Sequence, residues 1–270
     1  MLKSYISLMR PLNCFMGVLA ILIAIFISAE SSISAPTIFI ASLIGFVAMG
    51  AGNGLNDYID IEIDRTAHPH RPLPRGEIEK KNALFLSIFL FSFSVVLSFF
   101  LNVFAAIIVA LNVTIMALYE LKLKNMGLIG NIAIGYLVGS LFLFGGAVTE
   151  SLGNVFILFL LAALSTVGRE FVKGMEDIEG DKGTRRTLAV MNVKYAKLGA
   201  VLTITIAIIL SPLPYIMGQF SIFYLAIVSI ADVMFIYSLY IICTKNRGSS
   251  LMKYAMVIAL ISFIAGKVIV

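Results

Sequence analysis

Apolar residues run through this chain in long blocks with few polar interruptions, each about as long as a bilayer crossing. A helix needs about 20 predominantly apolar residues to cross about 30 Å of hydrocarbon. A window of that length finds nine blocks, at 11–29, 36–56, 83–101, 103–121, 128–148, 155–173, 196–217, 221–243 and 251–270. Asn102 alone separates the third from the fourth, and Gly218 and Gln219 come between the seventh and eighth, so both pairs are expected as tight helical hairpins. The first block follows Lys3 and Arg10 and continues for nineteen residues without a small-residue cleavage site, which reads as a membrane helix and not a removable signal.

Composition agrees. Of 270 residues, 60% are hydrophobic and 13% charged, and the mean hydropathy of +1.01 lies outside the globular range, so one nine-helix transmembrane domain over 1–270 is expected, with no room for a soluble one. The net charge of +5 could point to nucleic acid in a soluble protein. Here its distribution points to topology instead. With nine crossings, nineteen of the twenty Lys and Arg fall on one side, and losing or adding a crossing destroys that alternation. The N-terminus is therefore expected in the cytoplasm and the C-terminus outside, in a multi-pass protein of the cell membrane that does not bind nucleic acid. Cys14 and Cys243 lie inside apolar blocks without metal-ligand spacing and read as packing residues.

The acids do not follow the same distribution. Eight of fifteen lie in two short windows, NDYIDIEID at 56–64 and EDIEGD at 176–181. An offset of 117 residues places Asp60 on Asp177 and Asp64 on Asp181, and it also aligns Asn53 with Glu170 and Asn56 with Lys173. Both windows follow helices running in the same direction, so the repeat is parallel and implies two equivalent half-sites facing one cavity that opens to the cytoplasm. At about 100° per residue, Asn53, Asp57, Asp60 and Asp64 share an arc of roughly 60°, as do Glu170, Lys173, Asp177 and Asp181. Glu62 and Glu179 point the other way and read as solvated charges. Carboxylates crowded on one face repel, and a positive partner has to hold them there. An oxygen-rich set without His or Cys favours Mg²⁺, which usually takes one or two carboxylates plus phosphate oxygens, so a diphosphate ligand is implied. The alternative is an ordinary salt-bridge network with the neighbouring Arg and Lys.

The strings N-D-x-x-D-x-x-x-D at 56–64, HRPLPRGEI at 70–78 and GREFVKGMEDIEGDKGTRRTL at 168–188 resemble the intramembrane UbiA-type prenyltransferase superfamily over essentially the whole chain. The resemblance implies nine helices, two aspartate-rich motifs on the second and sixth, and Mg²⁺-dependent transfer of an isoprenoid from a prenyl diphosphate donor to a lipid-like acceptor. It further implies Asn56, Asp60 and Asp64 as ligands of one Mg²⁺ and Asp177 and Asp181 as ligands of another, the four aspartates being the catalytic set. Gly174 departs from the pattern, since many members carry an acid there. Together with the RPLN opening at 10–13, the second motif is most similar to the archaeal digeranylgeranylglyceryl phosphate synthases, which attach a second geranylgeranyl chain to geranylgeranylglyceryl phosphate. Members acting on aromatic acceptors in quinone and chlorophyll pathways share much of this pattern.

Lys173, Lys122, Lys124 and Arg71 are candidates to grip the diphosphate, with snorkelling to membrane lipid headgroups as the other reading of each. Arg10 and Asn13 are candidates for an acceptor phosphate, because arginine offers a bidentate fork. Asp232, in the middle of the eighth block, is either functional or hydrogen-bonded to a neighbouring helix. An ion-coupled transporter fits poorly with acids clustered at one interface and a parallel repeat, and a non-catalytic scaffold leaves the paired motifs unexplained. The topology is directly testable: cysteines introduced at Ser32 and Gly153 should react with a membrane-impermeant reagent from outside sealed cells, and cysteines at Glu77 and Lys182 should not. Reaction at Glu77 from outside would overturn the nine-crossing reading.

Overall fold

The computed structural model describes residues 2–181 and 186–268 and, among these, is built from helices. Nine of them are long and apolar enough to cross a membrane, and they coincide with the nine expected blocks. The contacts divide the chain into two compact units, Met1–Leu121 with Leu141–Leu152, and Lys122–Ser140 with Gly153–Val270.

The first unit holds α1 (Leu2–Met9), α2 (Pro11–Ser28), α3 (Ala35–Ile59), α4 (Ile61–Ala67), α5 (Lys80–Ser98), α6 (Val103–Leu121) and the end of α7 (Leu128–Val148). Hydropathy alone does not announce α1 or α4. The chain before the first crossing forms α1, which stops because Pro11 has no N–H to offer and disfavours a helical residue before it, whereas Pro11 itself suits the first turn of α2. The second crossing runs to Ile59, beyond its expected end at residue 56, and α4 follows after a break at Asp60. In one core cluster Val47, Ala51 and Leu55 of α3 pack with Leu90 and Phe91 of α5. In another, Ile21 and Ile25 meet Ala41, Ile44, Ala105, Val109 and Phe144. The expected hairpin at Asn102 is present, and the asparagine closes it twice: its Oδ1 accepts from Ala105 N at 2.8 Å and its Nδ2 donates to Ala147 O at 2.8 Å.

The second unit holds the start of α7, α8 (Leu152–Glu176), α9 (Ile178–Asp181), α10 (Leu188–Met191), α11 (Val193–Leu210), α12 (Leu213–Ile216), α13 (Ile222–Lys245) and α14 (Ser249–Val268). Its core joins Phe171 and Val172 of α8 to Ala196, Ala200 and Ile204 of α11, Phe235 and Ile242 of α13, and Met252 and Ala255 of α14. The seventh crossing is broken near its end, where Ser211 and Pro212 separate α11 from α12. The break is sealed by side chains: Tyr224 donates its hydroxyl to Ser211 O, and Ser211 Oγ donates to Asp232 Oδ2 at 2.6 Å. Asp232 is thus tied to a neighbouring crossing.

Lipid is as apolar as leucine, so helices here associate through close packing more than through removal of surface from water. Small residues on α7 make that possible. A Cβ at Gly135 would stand 2.8 Å from Ala163 O, and one at Gly139 would stand 2.7 Å from Phe159 O, both backbone atoms of α8. Large apolar residues turn outward at helical spacing, as with Phe85, Ile88 and Phe89 on α5 and Val233, Ile236 and Tyr240 on α13. Several hydroxyls inside the crossings are satisfied on their own helix, for example Ser42 Oγ on Ile38 O and Ser165 Oγ on Leu161 O, both at 2.8 Å. Gly139→Val should lower the thermal stability of the detergent-purified protein by about 1–3 kcal/mol through forced separation of α7 from α8. Gly153→Ala, where an added Cβ meets nothing within 4 Å, should leave the transition close to wild type.

Candidate active site

The first acidic motif straddles the junction of α3 and α4. Asp60 leaves helical geometry at φ −89° and ψ 12°, yet its N–H still donates to Asn56 O at 2.9 Å and its carbonyl accepts from Asp64 N at 2.8 Å. The i to i−4 ladder thus runs through the break, and Asp57, Asp60 and Asp64 remain buried, at 1%, 5% and 3% exposure. Glu62 is exposed and pairs with Arg65 at 3.1 Å, as a solvated charge does.

Two guanidinium groups hold this face. Arg10 donates to Asp57 Oδ1 in a close ion pair and lies 3.4 Å from Asn56 Oδ1. Arg71 Nη1 reaches Asp64 Oδ2 at 2.5 Å and Asp57 Oδ1 at 3.3 Å. At Asp57, whose oxygen is shared by two arginines, the structure displays the salt-bridge alternative. Arg10 occupies the left-handed region at φ 52°, unusual for a side chain with a Cβ. Its surroundings impose that turn. The Arg10 carbonyl accepts from Asn13 N at 2.9 Å, and Asn53 Nδ2 donates to Met9 O at 2.8 Å. Asn53, expected on the ligand face, is therefore the residue that fastens the end of α1. Asn13, expected beside Arg10, is exposed in the first turn of α2 while Arg10 turns onto Asp57.

Asn56 and Asp60 form the other part of this face. Asn56 Nδ2 donates to Asp60 Oδ2 at 3.2 Å and to Glu120 Oε2 at 2.9 Å. Glu120, 8% exposed in the last turn of α6, is a site residue that the sequence motifs do not include. In the segment LYELKLKN the lysines are the more conspicuous groups. The one sequence signal for Glu120 is a carboxylate in the final turn of an apolar helix, where the helix dipole disfavours negative charge.

The second motif lies in the other unit. Glu170 pairs with its neighbour Arg169 at 3.1 Å. Lys173, in the last turn of α8, is exposed, as is Asp177, whose N–H donates to Lys173 O at 3.0 Å and so continues the helical register expected of the pair. Asp181 ends α9, and its side chain lies outside the described residues. Glu176 turns away from the motif: its Oε1 accepts from Gly248 N at 2.7 Å and Ser249 N at 3.1 Å, so it caps α14. A Cβ at Gly174 would meet Ala189 Cβ at 3.5 Å, an ordinary contact, so space does not exclude an acid there. Lys122 is exposed and Lys124 half-buried, at the short 3₁₀ turn Leu123–Asn125.

Among the described residues no three His, Cys, Asp or Glu side chains converge as a ready-made metal site. The donors present nonetheless suit Mg²⁺, since the amide of Asn56 and the carboxylates of Asp60 and Asp64 offer oxygen ligands from one helical face. Such an ion characteristically binds through one or two carboxylates and completes its octahedron with phosphate oxygens.

Residues 17–264 match the UbiA prenyltransferase family. The digeranylgeranylglyceryl phosphate synthase of Methanosphaera stadtmanae is 40% identical over 273 residues, covering 98% of this chain and 99% of its own. That of Methanococcoides burtonii is 43% identical over 280 residues, covering 98% and 100%. A solved digeranylgeranylglyceryl phosphate synthase structure superposes with a TM-score of 0.90 at 38% identity, covering 100% of this chain and 99% of that one. A UbiA homolog from Archaeoglobus fulgidus bound to GPP and Mg²⁺ shares the fold, with a TM-score of 0.78 at 15% identity over 98% and 99% of the two chains. With the family model matching residues 17–264 and relatives about 40% identical over nearly their full length, the chain belongs to the UbiA prenyltransferase family.

Proposed function

We propose that this chain transfers a geranylgeranyl group from geranylgeranyl diphosphate to geranylgeranylglyceryl phosphate, the step that completes the two ether-linked chains of an archaeal lipid. The observation that carries the reading is the buried Asp57–Asp60–Asp64 face with Arg10 and Arg71 laid against it, a store of anionic and cationic groups at the end of a membrane helix. Full-length similarity at about 40% identity to digeranylgeranylglyceryl phosphate synthases supports the choice of acceptor over an aromatic one.

In this reading Asn56, Asp60 and Asp64 would hold one Mg²⁺, and Asp177 and Asp181 a second. When bound, the ions supply positive charge that stabilises the diphosphate as its allylic C–O bond breaks. Arg71 and Lys173, with Lys122 and Lys124, contribute hydrogen bonds and charge to the same leaving group. Asp57 keeps two guanidiniums oriented beside the motif, so their forks are positioned before a phosphate arrives. Arg10 is assigned to the acceptor phosphate, with Asn13 at the start of the same helix. The apolar crossings keep water from the prenyl chain. The acidic motifs and the basic loops are placed on the cytoplasmic side, following the Lys and Arg distribution.

Purified protein given radiolabelled geranylgeranyl diphosphate, Mg²⁺ and a panel of acceptors should label geranylgeranylglyceryl phosphate. Labelling of an aromatic acid or quinol precursor in its place would reassign the acceptor. Asp60→Ala and Asp177→Ala should each reduce turnover by about a hundredfold or more while the protein inserts and purifies normally. Near wild-type turnover for Asp177→Ala at saturating Mg²⁺ would remove the second ion from the scheme. Asp57→Ala should behave differently, lowering thermal stability by about 1–3 kcal/mol, because Arg10 loses the carboxylate it pairs with while Arg71 keeps Asp64. Glu62→Ala, at an exposed ion pair, should change stability by less than about 1 kcal/mol.

A further inference from the structure

The amide of Asn56 has two N–H bonds, and both are committed: one to Asp60 Oδ2 at 3.2 Å, the other to Glu120 Oε2 at 2.9 Å. Ionised carboxylates only accept hydrogen bonds, so the NH₂ side has to face them, and the reversed amide would set its carbonyl oxygen against two anions. The orientation of Asn56 is therefore decided by its neighbours. Its Oδ1, the one atom of the side chain able to bind a cation, is turned away from Glu120 to the side where the Arg10 guanidinium lies 3.4 Å off.

Glu120 occupies an unfavourable place for a carboxylate. It is buried, it lies in the last turn of α6 where helix carbonyls already concentrate negative charge, and it approaches a helix end that carries three further acids. What the glutamate offers Asn56 is a charged acceptor.

We infer that Glu120 is a positioning residue for the first metal station: it acts through Asn56, locking the amide so that Oδ1 is presented to the cation. This rests on Asn56 being a metal ligand, as proposed above. Partners that orient a ligand typically matter to metal affinity by about 10- to 100-fold when removed.

The test is Mn²⁺ binding to the full chain in detergent, with no substrate present, read from the electron paramagnetic resonance signal of free Mn²⁺. Glu120→Ala should weaken the tighter class of Mn²⁺ binding about tenfold or more, and Glu120→Gln, of the same size, should weaken it less because it retains a neutral acceptor. Asn56→Ala should cause a comparable loss. The double variant Asn56→Ala/Glu120→Ala should bind no worse than Asn56→Ala alone, because a residue that acts only through Asn56 has nothing left to orient. Thermal unfolding of each variant separates this pattern from general destabilisation, which would follow the melting temperature and not the presence of Asn56. Losses that multiply in the double variant would overturn the inference and make Glu120 a ligand in its own right. Unaltered Mn²⁺ affinity in both Glu120 variants would also overturn it, with the function above intact. A wild-type chain that takes up no Mn²⁺ without substrate would overturn the inference, since no preformed metal station would exist for Glu120 to position, whereas the transfer reaction is judged separately by the labelling assay above.

Discussion

A carboxylate can be buried at the end of a membrane-crossing helix only if something neutralises it, and at Asp57 that requirement organises the surrounding chain. Its oxygen takes a guanidinium from each of two directions: Arg10 from the junction of α1 and α2, and Arg71 from the loop after α4. Those segments are far apart in sequence and have no helix in common. Asp57 gathers them, and Asp64 adds a second hold on Arg71. The first unit is thereby closed at this end by charge, whereas its middle is closed by Val47, Ala51 and Leu55 against Leu90 and Phe91.

The same economy recurs at several other helix ends. Backbone groups left open at a terminus need partners, and near hydrocarbon water is a poor substitute. Asn102 closes the α5–α6 hairpin, Asn53 takes the last carbonyl of α1, Asn192 accepts from Lys194 N and Tyr195 N at the start of α11, and Glu176 caps α14. An acid or amide near a membrane interface thus has two competing uses, as cap or as ligand. Residue type alone does not separate them.

That ambiguity marks how far the sequence can be read. The crossings are legible because hydropathy over about twenty residues sums many weak preferences in one direction, and Lys and Arg alternation checks their number. Helix ends are not, since α3 continues three residues beyond its apolar block into polar sequence, and the break at Pro212 lies inside one. The aspartate motifs are legible through their repeated spacing. Partners are not: spacing puts Asn53 on the ligand face, whereas tertiary contact with Met9 claims it, and Arg10 is paired by proximity with Asn13 but reaches instead to Asp57. Glu120 carries no repeat and no motif, and its relation to Asn56 spans 64 positions, a distance that periodicity cannot bridge.

Arg10 is asked for two things that no single residue type supplies well. Its backbone stands in a torsional region that glycine adopts freely and a side chain with a Cβ resists. Its guanidinium is what Asp57 requires. Glycine would relax the turn and abandon the carboxylate, while a comfortable extended arginine would send its fork elsewhere. The position is frustrated in the energetic sense, with local conformational preference opposed to the demand of the site, and the neighbouring hydrogen bonds to Met9 and Asn13 are the means by which the fold enforces the outcome.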